Sequence, residues 1–228
     1  MALSVKEKTM NVLREYFDKA THSSDKWEPY FEVYHRHLEK FRGQSVTLVE
    51  VGVQKGGSLE MWSNYLGPQA RIIGIDVDPE CANLKYEQSN IEVIIGDQGS
   101  AEFWTETLAK IGDIDVFIDD GGHTMTQQIV TLENVFPKIK LNGVFICEDC
   151  HTSYMTSHEG GLGARGSFIE YCKTIIDIQH KSWHNTLVTE LDRREKFFND
   201  LTSMHVYDSV VVLEKFGRRN MQRVFPKL

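Results

Sequence analysis

The sequence predicts an α/β fold: a mostly parallel, doubly wound sheet of about seven strands, the last two forming an antiparallel hairpin, with helices on both faces. Three observations carry this expectation. From residue 46 onward, five short apolar runs alternate with segments of helical periodicity, and right-handed crossovers assemble such a series into a parallel sheet covered on both sides. The runs at 116–118 and 144–146 have no polar alternation, the mark of strands buried on both faces. Near the end, residues 204–207 and 210–213 are separated only by Asp208-Ser209, which is turn chemistry for a hairpin. With 228 residues, 41% of them apolar, and no linker rich in Pro, Gly or Ser, one domain spanning 1–228 is expected. Within it, residues 1–43 read as a helical lid and 44–228 as the sheet core.

The elements follow in order. Ser4-x-x-Glu7 is a capping box, and Met10, Leu13, Tyr16 and Phe17 continue a first helix to about Ala20. Ser24-Asp25 can cap a second, with Pro29 in its first turn and Trp27, Tyr30, Phe31, Tyr34, Leu38 and Phe41 at helical spacing. Strands are expected at 46–53, 71–75, 91–95, 115–119 and 143–147. Helices are expected at 58–65, from Pro79, at 101–110 and from Thr126 to about Phe136. A Gly-rich stretch, 160–166, reads as a mobile loop before a helix capped by Ser167-x-x-Glu170.

A formal charge of −8 and a pI near 5.6 argue against a nucleic-acid or acidic-membrane surface, but tolerate a cationic ligand in an acidic cleft. The N-terminus has no basic region leading into an apolar one, and no apolar run approaches the roughly 20 residues of a membrane span, so a cytoplasmic protein is expected. Four scattered cysteines fit reduced thiols; Cys147-x-x-Cys150 lacks the second pair of a zinc site.

The strand ends carry the chemistry. The first leads into Glu50-Val-Gly52-Val-Gln-Lys-Gly56-Gly57-Ser58, where glycines let a ligand approach a helix N-terminus. Gln54 stands where a dinucleotide fingerprint has glycine, which favours a ligand without pyrophosphate. Asp76 ends the second strand, where an acid can accept both hydroxyls of a ribose, and Gly96-Asp97-Gln98 ends the third, within reach of an adenine. Glu50, Asp76 and Asp97 together suit a nucleoside with a cationic far end, which points to S-adenosylmethionine. Any one of them could instead be an N-cap at a βα turn.

The fourth and fifth strands end in Asp119-Asp120-Gly-Gly-His123 and Glu148-Asp149. If these strands are neighbours, Asp120, Glu148 and Asp149 surround one point. Their all-oxygen donor set suits Mg²⁺ or Mn²⁺ rather than zinc. His123 lies beside that point as a base for an acceptor hydroxyl, with His151 as a second candidate base or a substrate contact.

On these residues the chain resembles the metal-dependent sugar O-methyltransferases of macrolide pathways, within a cephalosporin-hydroxylase-like sequence group. The resemblance runs from Ser24-Asp25-Lys26-Trp27 to 208–215, and is most specific at 118–123 and 147–154. It implies a Rossmann-like class I methyltransferase fold, with Asp120, Glu148 and Asp149 as Mg²⁺ ligands and His123 as base. Glu50, Gly52, Ser58, Asp76, Asp97, Gln98 and Asp119 would line the S-adenosylmethionine pocket, and His151 and Tyr154 would meet substrate. Gly122 departs from the serine frequent in the family, and the extra N-terminal domain of some members is not present. The acceptor implied is a sugar hydroxyl of a glycan or a glycosylated natural product, and a homo-oligomer is compatible with the pattern. Two alternatives stay open: methylation of a catechol-like small molecule, and a cofactor-binding module without turnover.

Overall fold

A computed structural model describes residues 12–180, 183, 194–198, 200–217 and 223–226. Seven strands form one sheet: β1 (Thr47–Val51), β2 (Arg71–Asp76), β3 (Ile91–Ile95), β4 (Ile114–Asp119), β5 (Ile139–Cys147), β6 (Ser203–Tyr207) and β7 (Val210–Lys215). Their order is β3-β2-β1-β4-β5-β7-β6. The first five are parallel, and β7 inserts antiparallel between β5 and β6. Order reverses between β1 and β4, the place where open α/β sheets bind ligands beyond the carboxyl ends of their strands. β4 and β5 are neighbours, with Asp119 opposite Cys147, so the two acidic strand ends do lie side by side.

One sheet face packs against α4 (Ala101–Ile111), α5 (Met125–Val135) and α6 (Phe168–Gln179) through Trp104, Phe117, Phe136, Phe145 and Phe168. Thr124 and Gln127 form a capping box at α5, and the Ser167 hydroxyl caps α6. The opposite face packs against α1 (Val12–Asp18), α2 (Tyr30–Leu38) and α3 (Gly57–Leu66). Here Tyr34 meets Trp62 edge-on at 5.1 Å, above Val116, Ile118, Val144 and Ile146.

The aromatic stripe does not stay at the surface in α2: Tyr30, Phe31, Tyr34 and Leu38 are buried in the core, while Trp27 before the helix is exposed and lines the cavity with Tyr30. At the far end of α2 His37 Nδ1 lies 3.1 Å from Glu214 Oε1 and its Nε2 lies 2.9 Å from the Tyr207 hydroxyl, pinning the helix to the hairpin. Nor do Ser24 and Asp25 cap this helix: it begins at Tyr30 after Pro29, and 24–29 runs as an irregular strap over the carboxyl ends of the strands. The Ser4 capping box lies outside the described residues. Residues 160–166 are tied down, with Gly161 N donating to Ser153 O at 2.8 Å and Glu159 accepting from the Thr126 hydroxyl at 2.7 Å. No helix among the described residues is long and apolar enough to cross a membrane.

Candidate active site

A cavity of about 410 Å³ opens beyond the strand ends of β1 to β5, beneath the strap. Its first half is shaped by backbone. Gly52 leaves β1 at φ +96°, and a Cβ there would stand 1.9 Å from the Asp120 carbonyl oxygen, so only glycine fits where the two halves meet. Asp76 Oδ2 accepts from the N–H groups of Val53 (2.8 Å) and Gln54 (2.9 Å), and Oδ1 accepts from Asp78 N at 2.9 Å. Asp97 Oδ1 accepts from Gly99 N at 2.8 Å. Both acids thus set the turns they stand in without capping a helix, since Asp78 and Ser100 hold the N-cap positions that follow, and both also line the cavity. Carboxylate oxygens carry more than one acceptor site, so ribose hydroxyls can still be met.

Gln98 joins the halves. It is buried, donating through Nε2 to Asp119 Oδ1 (2.9 Å) and Thr131 Oγ1 (3.1 Å) and accepting through Oε1 from Gly122 N (2.9 Å). Burial pushes the fully enclosed Asp119 carboxyl up to about 7, and its Oδ2 has no partner.

The second half is shaped by side chains. Asp120, His123 and Asp149 bring donor atoms within 4.8 Å of one another at the cavity wall. His123, at φ +57°, points Nε2 at Asp149 Oδ2 (3.5 Å) and Asp120 Oδ1 (3.9 Å), while Nδ1 is buried without a partner. Burial lowers its pKa, against the pull of the two acids, and so favours the neutral ring. Glu50, Asp120 and Glu148 form a second cluster of the same tightness. Within it sits the ammonium of Lys26, on a side chain only 1% exposed: 3.4 Å from Glu50 Oε1, 3.1 and 3.2 Å from the two Glu148 oxygens, and in contact with Asp120 Oδ2. Its pKa is raised by the three carboxylates, although burial alone would lower it. The same surroundings push Glu148 up through burial and the neighbouring Asp120 charge, with Lys26 opposing.

The expected residues therefore divide. Gly52, Asp76, Asp97, Gln98, Asp120, His123, Glu148 and Asp149 line one cavity. Glu50, Ser58 and Asp119 are not among the residues that line it: Glu50 is fully buried, accepting from Ser58 Oγ at 2.6 Å and facing Lys26, and Asp119 is enclosed beneath Gln98. His151 stands 2.5 Å from the Ser209 hydroxyl and 3.9 Å from Asp149, at the edge of the acidic cluster. Tyr154 is exposed on the turn beyond it. Sequence reasoning missed Lys26 and Tyr30, whose hydroxyl donates to Asp149 Oδ1 at 2.6 Å. For Lys26 the signal was its place in the Ser24–Trp27 block that carries the resemblance, where no role was given to it.

Comparison with known proteins places this geometry in company. A family described as a methyltransferase domain matches residues 49–150. The chain is 30% identical over 223 residues to the 8-demethyl-8-(2-methoxy-alpha-L-rhamnosyl)-tetracenomycin-C 3'-O-methyltransferase of Streptomyces olivaceus, covering 91% of this chain and 54% of that protein. It is 30% identical over 199 residues to the mycinamicin VI 2''-O-methyltransferase of Micromonospora griseorubida, covering 82% and 48%. Among solved structures it resembles the MycE methyltransferase of the mycinamycin biosynthetic pathway, in complex with Mg, SAH and mycinamycin VI. That match has a TM-score of 0.74 at 26% identity, over 91% of this chain and 54% of that one. The chain spans about half the length of the relatives it matches.

Proposed function

We propose that the chain, whose residues 49–150 match a methyltransferase domain and which is similar to antibiotic-pathway sugar O-methyltransferases, is an S-adenosylmethionine- and Mg²⁺-dependent O-methyltransferase. The acceptor is a sugar hydroxyl of a glycosylated natural product or glycan, and the setting is the cytoplasm, in keeping with four free, buried cysteines. One observation carries the reading. A single cavity has a backbone-shaped nucleoside half at Gly52, Asp76 and Asp97, and opposite it the oxygen-rich cluster of Asp120 and Asp149 with a neutral histidine.

The residues fit both groups. Gly52 lets the ends of β1 and β4 close up beside the cavity, and Asp76 and Asp97 offer acceptors to a ribose and an adenosine edge. Asp120 and Asp149, with Glu148 beside them, offer hard oxygen donors to a divalent cation. When bound, such a cation makes a nearby hydroxyl more acidic and fixes its direction. His123 takes the proton of the acceptor hydroxyl on its ring nitrogen at the cavity wall. S-adenosylmethionine held between Gly52, Asp76 and Asp97 would supply the methyl group, its sulfur–methyl bond giving way to the new oxygen–methyl bond and its sulfonium becoming a neutral thioether. Enclosing both reactants in one cavity supplies alignment for the in-line displacement.

Calorimetric titration with S-adenosylmethionine, followed by methyl transfer to a panel of sugar acceptors with and without EDTA, tests this. The expected result is cofactor binding without acceptor, and transfer that EDTA stops and added Mg²⁺ restores. Transfer indifferent to EDTA would remove the metal, and absence of cofactor binding would remove the enzyme.

A further inference from the structure

Every carboxylate assigned to the cation has its outer partner in one stretch of seven residues, 24–30, far away in sequence. The Lys26 ammonium takes Asp120 Oδ2 and both oxygens of Glu148, and the Tyr30 hydroxyl takes Asp149 Oδ1. The oxygens left over are the ones that face the cavity histidine: Asp120 Oδ1 and Asp149 Oδ2 are those nearest His123 Nε2. We propose that the strap is the outer shell of the metal site, and that Lys26 and Tyr30 are positioning residues that turn Asp120 and Asp149 toward the cation. The inference rests on the reading that Asp120, Glu148 and Asp149 hold a divalent ion.

A tether for stability alone would not take this form. Removing an ammonium and its carboxylates from water costs several kcal/mol, and apolar residues of similar size commonly serve stability as well or better. Partners that fix the orientation of metal-binding groups are the setting in which such a cost is usual. The strap is also built to deliver the two side chains without slack. Before it, Glu60 of α3 accepts from the Thr21 hydroxyl at 2.7 Å and lies 2.7 Å from His22 Nδ1, while Gly57 N donates to Ser23 O at 3.2 Å. After it, Tyr30 is the first residue of α2 and only 3% exposed, and α2 is pinned at its other end by His37.

The test reads metal affinity rather than turnover. Mn²⁺, counted by electron paramagnetic resonance, is titrated into the full chain as wild type, Tyr30→Phe and Lys26→Met, with S-adenosylmethionine affinity measured in parallel by calorimetry. Both substitutions are expected to weaken Mn²⁺ binding by about 10- to 100-fold, the usual effect of losing an outer-shell partner. Cofactor affinity in Tyr30→Phe stays at the wild-type value. Tyr30→Phe removes one hydroxyl and keeps the ring, so it serves as the deciding variant should Lys26→Met fail to fold. A folded Tyr30→Phe protein with wild-type Mn²⁺ affinity overturns the positioning role and leaves the proposed function standing. A wild-type chain that binds S-adenosylmethionine but no Mn²⁺ overturns the metal reading together with this inference.

Discussion

The two halves of the cleft hold their acids by opposite means. In the cofactor half, Asp76 and Asp97 are fixed by backbone N–H groups at sequence separations of 2 to 23 residues. In the metal half, Asp120, Glu148 and Asp149 are fixed by side chains at separations of 94, 122 and 119. The first half is a product of βα turns and forms wherever those turns form. The second exists only once α2 has docked and drawn the strap across the strand ends. The acids of the first half are thus placed by nearby backbone, and those of the second by tertiary structure.

The largest effect expected from separating the halves is that of Asp120→Ala. Turnover should fall below detection and added Mg²⁺ should not restore it, while calorimetric affinity for S-adenosylmethionine stays within a few-fold of wild type. A parallel loss of cofactor affinity would show that the halves are not independent. Next, His123→Ala should lower kcat by about 10²- to 10⁴-fold, the usual contribution of a general base, with cofactor affinity unchanged. A wild-type rate would assign the proton to another group, His151 first.

Gly52→Ala attacks the point where the halves touch. The added methyl group meets the Asp120 carbonyl and the backbone is in the left-handed region, so a loss of about 1–3 kcal/mol in denaturant unfolding is expected. Cofactor and Mn²⁺ affinity should fall together, unlike in the two variants above. The smallest effect should come from Glu214→Gln, at the far end of α2. The hydrogen bond from His37 holds this carboxyl down, to about 2, against burial. A depressed carboxyl contributes stability above its ordinary value of 4.5, and that contribution is lost as pH falls through about 2. The variant should therefore melt about 2–4 °C lower at neutral pH, and the gap to wild type should close on acidification toward pH 2. If Mn²⁺ affinity also drops at neutral pH, the pinning of α2 reaches the metal half.

How much was legible in the sequence follows the same division. The parallel strands, the closing hairpin and the adjacency of the two acidic strand ends could be read from apolar runs and turn residues, because these are periodic and local. Asp120 and Asp149 could be placed at the cavity because each lies within two residues of the end of a buried strand, and His123 because it stands in the short turn after β4. Glu50 and Asp119, expected beside the cofactor, are not among the residues lining the cavity. They too end strands, but the pleat alternates direction at every residue, and one step turns a side chain from the cavity to the interior. The helix expected from Ser24 failed because local capping chemistry, worth about 1 kcal/mol, was set against a buried contact of Lys26 with three carboxylates that no spacing rule contains.

By itself, then, the sequence determined the sheet, the glycine that opens the cleft and the acids at its strand ends, since these depend on neighbours within one turn or strand. Which of those acids face a ligand, and which are bound to a buried lysine, was decided only by the tertiary structure. Charges pair through space across about a hundred residues of chain, and their energies depend on burial and distance that exist only after folding.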